Sequence, residues 1–192
     1  MWFTIPNLFT LLRALMTPYI LIELGKGHYM VAGWTFGAAA FTDTMDGYIA
    51  RRFGQQSQIG AYLDPIADKL LLSSIYIGLL IGHAIPAWVV GVVFGRDLWI
   101  LLLSGIALRL TKYRNLKPSV WGKASTFAQV MTAVGIMAAR AYENAVFGQI
   151  ADILVWVVVT LAFISAGDYT ARGIGFWRSA RASCTREDGG VV

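Results

Sequence analysis

Six apolar runs, each about 20 residues and so long enough to cross a bilayer, can be read at about 8–24, 30–50, 61–82, 86–108, 120–141 and 149–171. Only short connections separate them. The chain is 57% hydrophobic and 14% charged, with a mean hydropathy of +0.59, and a water-soluble domain of 192 residues could hardly keep that much apolar side chain off its surface. The expected fold is therefore an all-α integral membrane domain of six transmembrane helices over residues 1–173. The opening "MWFTIPNL" is suited to lie in the interface ahead of the first span. That span holds Arg13 and Pro18 and is followed by no small-residue cleavage site, so it is expected to stay in the mature protein. Residues 174–192 are polar after Phe176 and Trp177 and are expected to form a disordered cytoplasmic tail.

The cations fall on alternate connections. Arg51 and Arg52 lie in the first, Arg109, Lys112, Arg114 and Lys117 in the second, and Arg172, Arg178, Arg181 and Arg186 after the last run. Intervening turns hold little charge: Lys26 with His28, His83, and Glu143. The positive-inside rule then puts both termini and the 51–59 and 109–118 connections in the cytoplasm, with the bacterial inner membrane as the expected location. Such cations serve topology and anionic headgroups, and no nucleic-acid partner is expected. Cys184 is the only cysteine, which excludes an internal disulfide and a cysteine metal site. No internal repeat shows, against a transporter built from homologous halves. Small residues in "GWTFGAAAF" and "SGIAL" would allow close helix approach or a dimer face.

Four aspartates break the apolar pattern. Asp43 and Asp46 share one face at the end of the second span, and Asp64 and Asp68 share one face at the start of the third. An antiparallel hairpin would gather all four at the cytoplasmic end. Two unit charges about 6 Å apart at an effective dielectric near 20 repel by roughly 3 kcal/mol, and four make several such pairs. Either some are protonated or divalent cations sit among them. Oxygen ligands without histidine or cysteine point to Mg²⁺, Mn²⁺ or Ca²⁺ rather than zinc. Mg²⁺ commonly shares its sphere with substrate phosphates, which suits phosphoryl transfer with one or two metals. Gly47, Ala50 and Gly60 clear space beside the acids, and Arg51 has the fork geometry to hold a phosphate. Pro65 is expected in the first turn of its helix, where proline is tolerated.

The pattern Asp43-x2-Asp46-Gly47-x2-Ala50-Arg51-x8-Gly60-x3-Asp64-x3-Asp68 resembles, at every fixed position, the signature of the CDP-alcohol phosphatidyltransferase family. The resemblance extends over about residues 5–173 and takes in "IPNLFTLLR" and the "GRD" at 95–97. It implies a six-helix membrane enzyme, usually a homodimer, that displaces CMP from a CDP-linked lipid such as CDP-diacylglycerol with an alcohol hydroxyl. On that resemblance Asp43, Asp46 and Asp64 ligate Mg²⁺ or Mn²⁺, two ions being expected, and Asp68 completes the site and acts as general base. Gly47, Ala50 and Gly60 would line the nucleotide, with Arg51 on its phosphate.

The acceptor is expected at the second basic region, "LRLTKYRNLKPSVWGKASTFAQ", through Arg109, Lys112, Arg114 and Lys123. Relatives using glycerol 3-phosphate look like G-R-E with a further arginine eight residues on, then G-K-x-K-T-x-x-Q. Here the acid is Asp97, Ser104 stands at the arginine position, and Ser125 replaces the second lysine. These departures resemble the cardiolipin synthases of the family, whose acceptor is phosphatidylglycerol. Glycerol 3-phosphate is the alternative acceptor. Acids embedded in a membrane also mark ion pathways, which makes a divalent-cation transporter the alternative from another class. Asp152 and Asp168 look isolated near span ends, Arg140 is placed to snorkel, and Arg96 with Asp97 reads as a packing pair.

Overall fold

A computed structural model of the chain describes residues 5–53, 58–110 and 119–187, with side chains described over 12–42, 67–106 and 119–174. Among the described residues there are six helices and no strand: α1 (Ile5–Gly25), α2 (Tyr29–Phe53), α3 (Gln58–Ile81), α4 (Ala87–Leu110), α5 (Val120–Tyr142) and α6 (Ala145–Glu187). Five of these match the six apolar runs to within a few residues at both ends. The sixth begins early and continues well past the expected boundary at residue 173, since no proline or turn sequence interrupts "TARGIGFWRSARASCTRE". Residues 188–192 and 1–4 lie outside the described residues, and from Ile5 onward the N-terminal segment expected at the interface belongs to α1. Among the described residues two segments, Ala87–Ile106 and Ala145–Ile174, are long and apolar enough to cross a membrane by length and composition alone.

The chain divides into two units, Met1–Val90 with Thr132–Asp152, and Gly91–Met131 with Ile153–Val192. In the first, α1 packs against both α2 and α3. Ile20, Leu24, Ala32, Ile75, Tyr76 and Leu79 form its buried core. Contacts between α1 and α3 advance together along the chain: Arg13 meets Asp68, Leu24 meets Gly78 and Gly25 meets Ile81. The two helices therefore run parallel in a nearly constant register. Their closest approach is at Gly78 and Gly82, a G-x3-G pair. A Cβ on Gly78 would lie 2.8 Å from the Leu24 Cβ, and one on Gly82 would lie 2.5 Å from the Leu24 carbonyl oxygen. The small residues singled out in the sequence do otherwise: Gly33, Gly37 and Gly105 have open space where a Cβ would stand.

Both α1 and α3 end in a Schellman motif. Gly27 (φ 83°) and His83 (φ 53°) take the left-handed position, with His28 N–H on the Glu23 carbonyl at 2.9 Å and Ala84 N–H on the Leu79 carbonyl at 2.8 Å. The Tyr29 hydroxyl donates to the Gly82 carbonyl at 2.7 Å, tying the two ends together. Glu23 accepts from Lys26 (3.3 Å) and lies 2.7 Å from His28 Nδ1. Arg140 Nη2 donates to the His83 carbonyl at 3.4 Å. α3 starts at Gln58, so Pro65 sits inside the helix rather than in its first turn, and it has no N–H to offer the carbonyl four residues earlier.

The second unit buries Val93, Ala128, Val158, Val159 and Ala162 together with a set of polar side chains. Arg96, Asp97, Ser119, Ser125, Gln129 and Ser165 are buried, whereas Leu98, Leu101, Phe127, Trp156 and Phe163 are exposed. Polar side chains inside and large apolar ones outside are what a lipid solvent selects.

Gly82→Ala should lower the thermal unfolding midpoint in detergent, because overpacking against fixed backbone costs about 1–3 kcal/mol. Gly37→Ala, whose Cβ meets nothing, should leave the midpoint level or raise it slightly.

Candidate active site

Asp43, Asp46, Gly47, Ala50 and Arg51 lie on the C-terminal part of α2, and Gly60, Asp64 and Asp68 on the N-terminal part of α3. Of these eight, Asp68 alone has a described side chain; the side chains of the other seven, together with that of Arg109 near the end of α4, are outside the described residues. Lys112 and Arg114 are outside them altogether.

Asp68 forms an ion pair with Arg13 of α1 through Oδ1 and Nη1. The pair is lopsided: the Arg13 side chain is 4% exposed and that of Asp68 57%. A guanidinium buried in apolar surroundings is costly unless paired, so Arg13 needs an acid, and Asp68 supplies one while its side chain stays more than half exposed. Pro18 interrupts α1 one turn on, and between them Thr17 Oγ1 donates to the Arg13 carbonyl at 2.8 Å. The sequence carried a signal for this role, an arginine inside an apolar run, but not the identity of its partner. Among the described residues no cluster of histidine, cysteine, aspartate and glutamate forms a metal site, a search that does not take in Asp43, Asp46 and Asp64.

The second unit holds a cavity of about 420 Å³ lined by Arg96, Gly122, Lys123, Thr126 and Tyr169 with Ile100, Phe127 and Val130. Lys123, expected from the sequence to meet the acceptor, lines this cavity and is exposed. Arg96, read from sequence as a packing residue, is also a lining residue. Its Nη1 donates to Asp97 Oδ1 at 2.9 Å, and Nη2 donates to Ser165 Oγ at 2.6 Å and to the Gly122 carbonyl at 3.3 Å. Its Nε makes no hydrogen bond. Asp168, which looked isolated, accepts from Ser119 Oγ and pairs with Arg172 at 3.0 Å.

A sequence profile of the CDP-alcohol phosphatidyltransferase family matches residues 3–165. The chain belongs to this family and is an enzyme of phospholipid synthesis, a CDP-alcohol phosphatidyltransferase. It is 34% identical over 175 residues, 88% of this chain and 80% of the relative, to a probable phosphatidylglycerophosphate synthase of Mycobacterium tuberculosis. Over 136 residues it is 38% identical to a probable CMP-forming cardiolipin synthase of Drosophila melanogaster, covering 70% of this chain and 39% of the relative. It is 29% identical over 197 residues to the CDP-diacylglycerol–glycerol-3-phosphate 3-phosphatidyltransferase of Bacillus subtilis, covering 94% and 99%. With the family established, the cation-transporter alternative is set aside.

Arg13→Gln should reduce CMP release by about ten- to hundredfold, the cost of about 1.5–3 kcal/mol for a lost charged hydrogen bond. Arg13→Lys, which keeps the charge but not the fork, should recover part of that loss in the same assay.

Proposed function

We propose that the chain transfers the phosphatidyl group of CDP-diacylglycerol to the hydroxyl of phosphatidylglycerol, releasing CMP and forming cardiolipin. In this reading all six helices cross the bilayer, the aspartate quartet opens toward the cytoplasmic leaflet, and the assembly is a homodimer. The observation that carries the acceptor is electrostatic. Asp97 neutralises Arg96, a lining residue of the cavity, so among the described lining residues Lys123 supplies the one charge without an ion-pair partner. One net positive charge amid Ile100, Phe127 and Val130 suits a lipid phosphodiester, a monoanion, better than the dianionic phosphate of glycerol 3-phosphate.

On the donor side, Asp43, Asp46, Asp64 and Asp68 fit Mg²⁺ or Mn²⁺: four carboxylates at helix spacing, no imidazole or thiolate among them, and an Asp68 side chain that stays more than half exposed beside Arg13. Bound there, a divalent cation supplies a Lewis acid that offsets the charge developing on the departing CMP. Gly47, Ala50 and Gly60 leave room for the nucleotide, and Arg51 holds a diphosphate oxygen. Asp68 takes the proton of the acceptor hydroxyl as its oxygen forms a bond to the phosphatidyl phosphorus and the bond from that phosphorus to CMP breaks. Arg13 holds the Asp68 carboxylate in orientation throughout.

Glycerol 3-phosphate is the second reading. It is favoured by the relatives from M. tuberculosis and B. subtilis, which match over most of both chains.

Purified protein in detergent with CDP-diacylglycerol and Mg²⁺ or Mn²⁺ should release CMP when phosphatidylglycerol is added and not with glycerol 3-phosphate. The reverse preference would overturn the proposed acceptor. Asp68→Asn should abolish release with either, and unchanged turnover in that variant would remove Asp68 from the role of base.

A further inference from the structure

The start of α5 is held by one face of α6. Ser119 precedes α5, and its carbonyl accepts from Lys123 N–H at 3.1 Å, making it the N-cap residue. An N-cap hydroxyl ordinarily turns inward to accept from the first turn of its own helix. Here Ser119 is 1% exposed and its hydroxyl donates across to Asp168, while its backbone N–H donates to the Tyr169 hydroxyl at 3.3 Å. The Tyr169 ring then lies flush on the next turn: a Cβ on Gly122 would stand 3.0 Å from the Tyr169 hydroxyl and 3.1 Å from its Cε2. One turn back on α6, Ser165 takes Arg96 Nη2, which also reaches the Gly122 carbonyl. Ser165, Asp168, Tyr169 and Arg172 recur at helical spacing and so share a face.

These contacts converge on the residue beside Lys123. Gly122 is fixed from one side by Tyr169 and from another by Arg96, Ser119 is fixed by Asp168 and Tyr169, and both Lys123 and Arg96 line the 420 Å³ cavity. We infer that Asp168 and Tyr169 are positioning residues for the acceptor: they lock the first turn of α5 so that Lys123 and Arg96 meet the acceptor's phosphate at a fixed separation. Arg172, at 3.0 Å from Asp168 Oδ2, in turn orients the carboxylate. The inference rests on reading this cavity as the acceptor site. It goes further by assigning acceptor affinity to two side chains of a helix that carries none of the signature residues.

The test uses Tyr169→Phe, Asp168→Asn and Gly122→Ala in the full-length enzyme, with Lys123→Ala as the reference. KM is measured separately for phosphatidylglycerol and for CDP-diacylglycerol by CMP release, alongside the unfolding midpoint of each variant. Tyr169→Phe deletes one oxygen and keeps the ring, so folding should survive. The expected result is an acceptor KM raised roughly tenfold in each of the three, about 1.4 kcal/mol, with the KM for CDP-diacylglycerol unchanged and kcat at saturating acceptor within about twofold. A loss of stability alone would lower the amount of active enzyme and leave both KM values in place. If Lys123→Ala raises the acceptor KM and the α6 variants do not, the positioning role is wrong and the acceptor site stands. If Lys123→Ala itself leaves the acceptor KM unchanged, the acceptor-site reading falls and this inference falls with it.

Discussion

A charge surrounded by apolar side chains must find its opposite within the fold, and much of this chain is arranged around that requirement. Arg13 sits inside α1 with leucines, isoleucines and a proline for neighbours in sequence, and burial leaves its guanidinium no route to water. Asp68 on α3 meets it. Because the α1 contacts of α3 keep a nearly constant offset from this pair to Gly25 and Ile81, one ion pair and one glycine approach fix the same register from opposite ends. A slip of α3 by one residue would turn Asp68 about 100° away from Arg13 and drive bulkier side chains against the Leu24 carbonyl. Electrostatics and sterics thus exclude the same alternatives.

The second unit meets the requirement with a shorter device. Arg96 and Asp97 are adjacent in sequence and pair directly while buried. Adjacent residues on a helix point about 100° apart, so the pair closes only because the arginine stem is long enough to fold back. Doing so leaves Nη2 facing Ser165 and Gly122, which couples the charge of α4 to the packing of α5 and α6. The same guanidinium therefore fixes the carbonyl of Gly122, the residue before Lys123.

The helices were legible because length and hydropathy decide them: apolar runs of membrane-crossing length separated by charged or glycine-bearing turns leave few other readings, and the described bounds follow them closely. The family was legible as well, since a signature of residues at fixed spacing survives without knowledge of tertiary contacts. What sequence could not show were pairings across helices. Arg13 is separated from Asp68 by 55 residues, and Ser119 from Asp168 by 49. The glycines that matter for close packing, Gly78 and Gly82, are indistinguishable by spacing from Gly33 and Gly37, which meet nothing. Pro65 was misplaced because a helix start is softer in sequence than its apolar middle; α3 gains its first turn from "QIG", ahead of the greasy run.

How many cations can stand beside a buried phosphate depends on what the surrounding helices can accommodate. At the two positions where glycerol 3-phosphate users of the family resemble one another by an arginine and a second lysine, this chain has Ser104 and Ser125. Ser125 is fully buried and its Oγ makes no hydrogen bond, on a face of α5 that also buries Gln129. An ammonium there would have to be desolvated or push the helix outward, and either costs several kcal/mol. Ser125 therefore suits its buried position on α5 better than a lysine would. On the proposed reading of the neighbouring cavity, where Lys123 is the charged lining residue not paired with Asp97, a phosphate already esterified on both sides is the better match, and its glycerol hydroxyl remains free to attack.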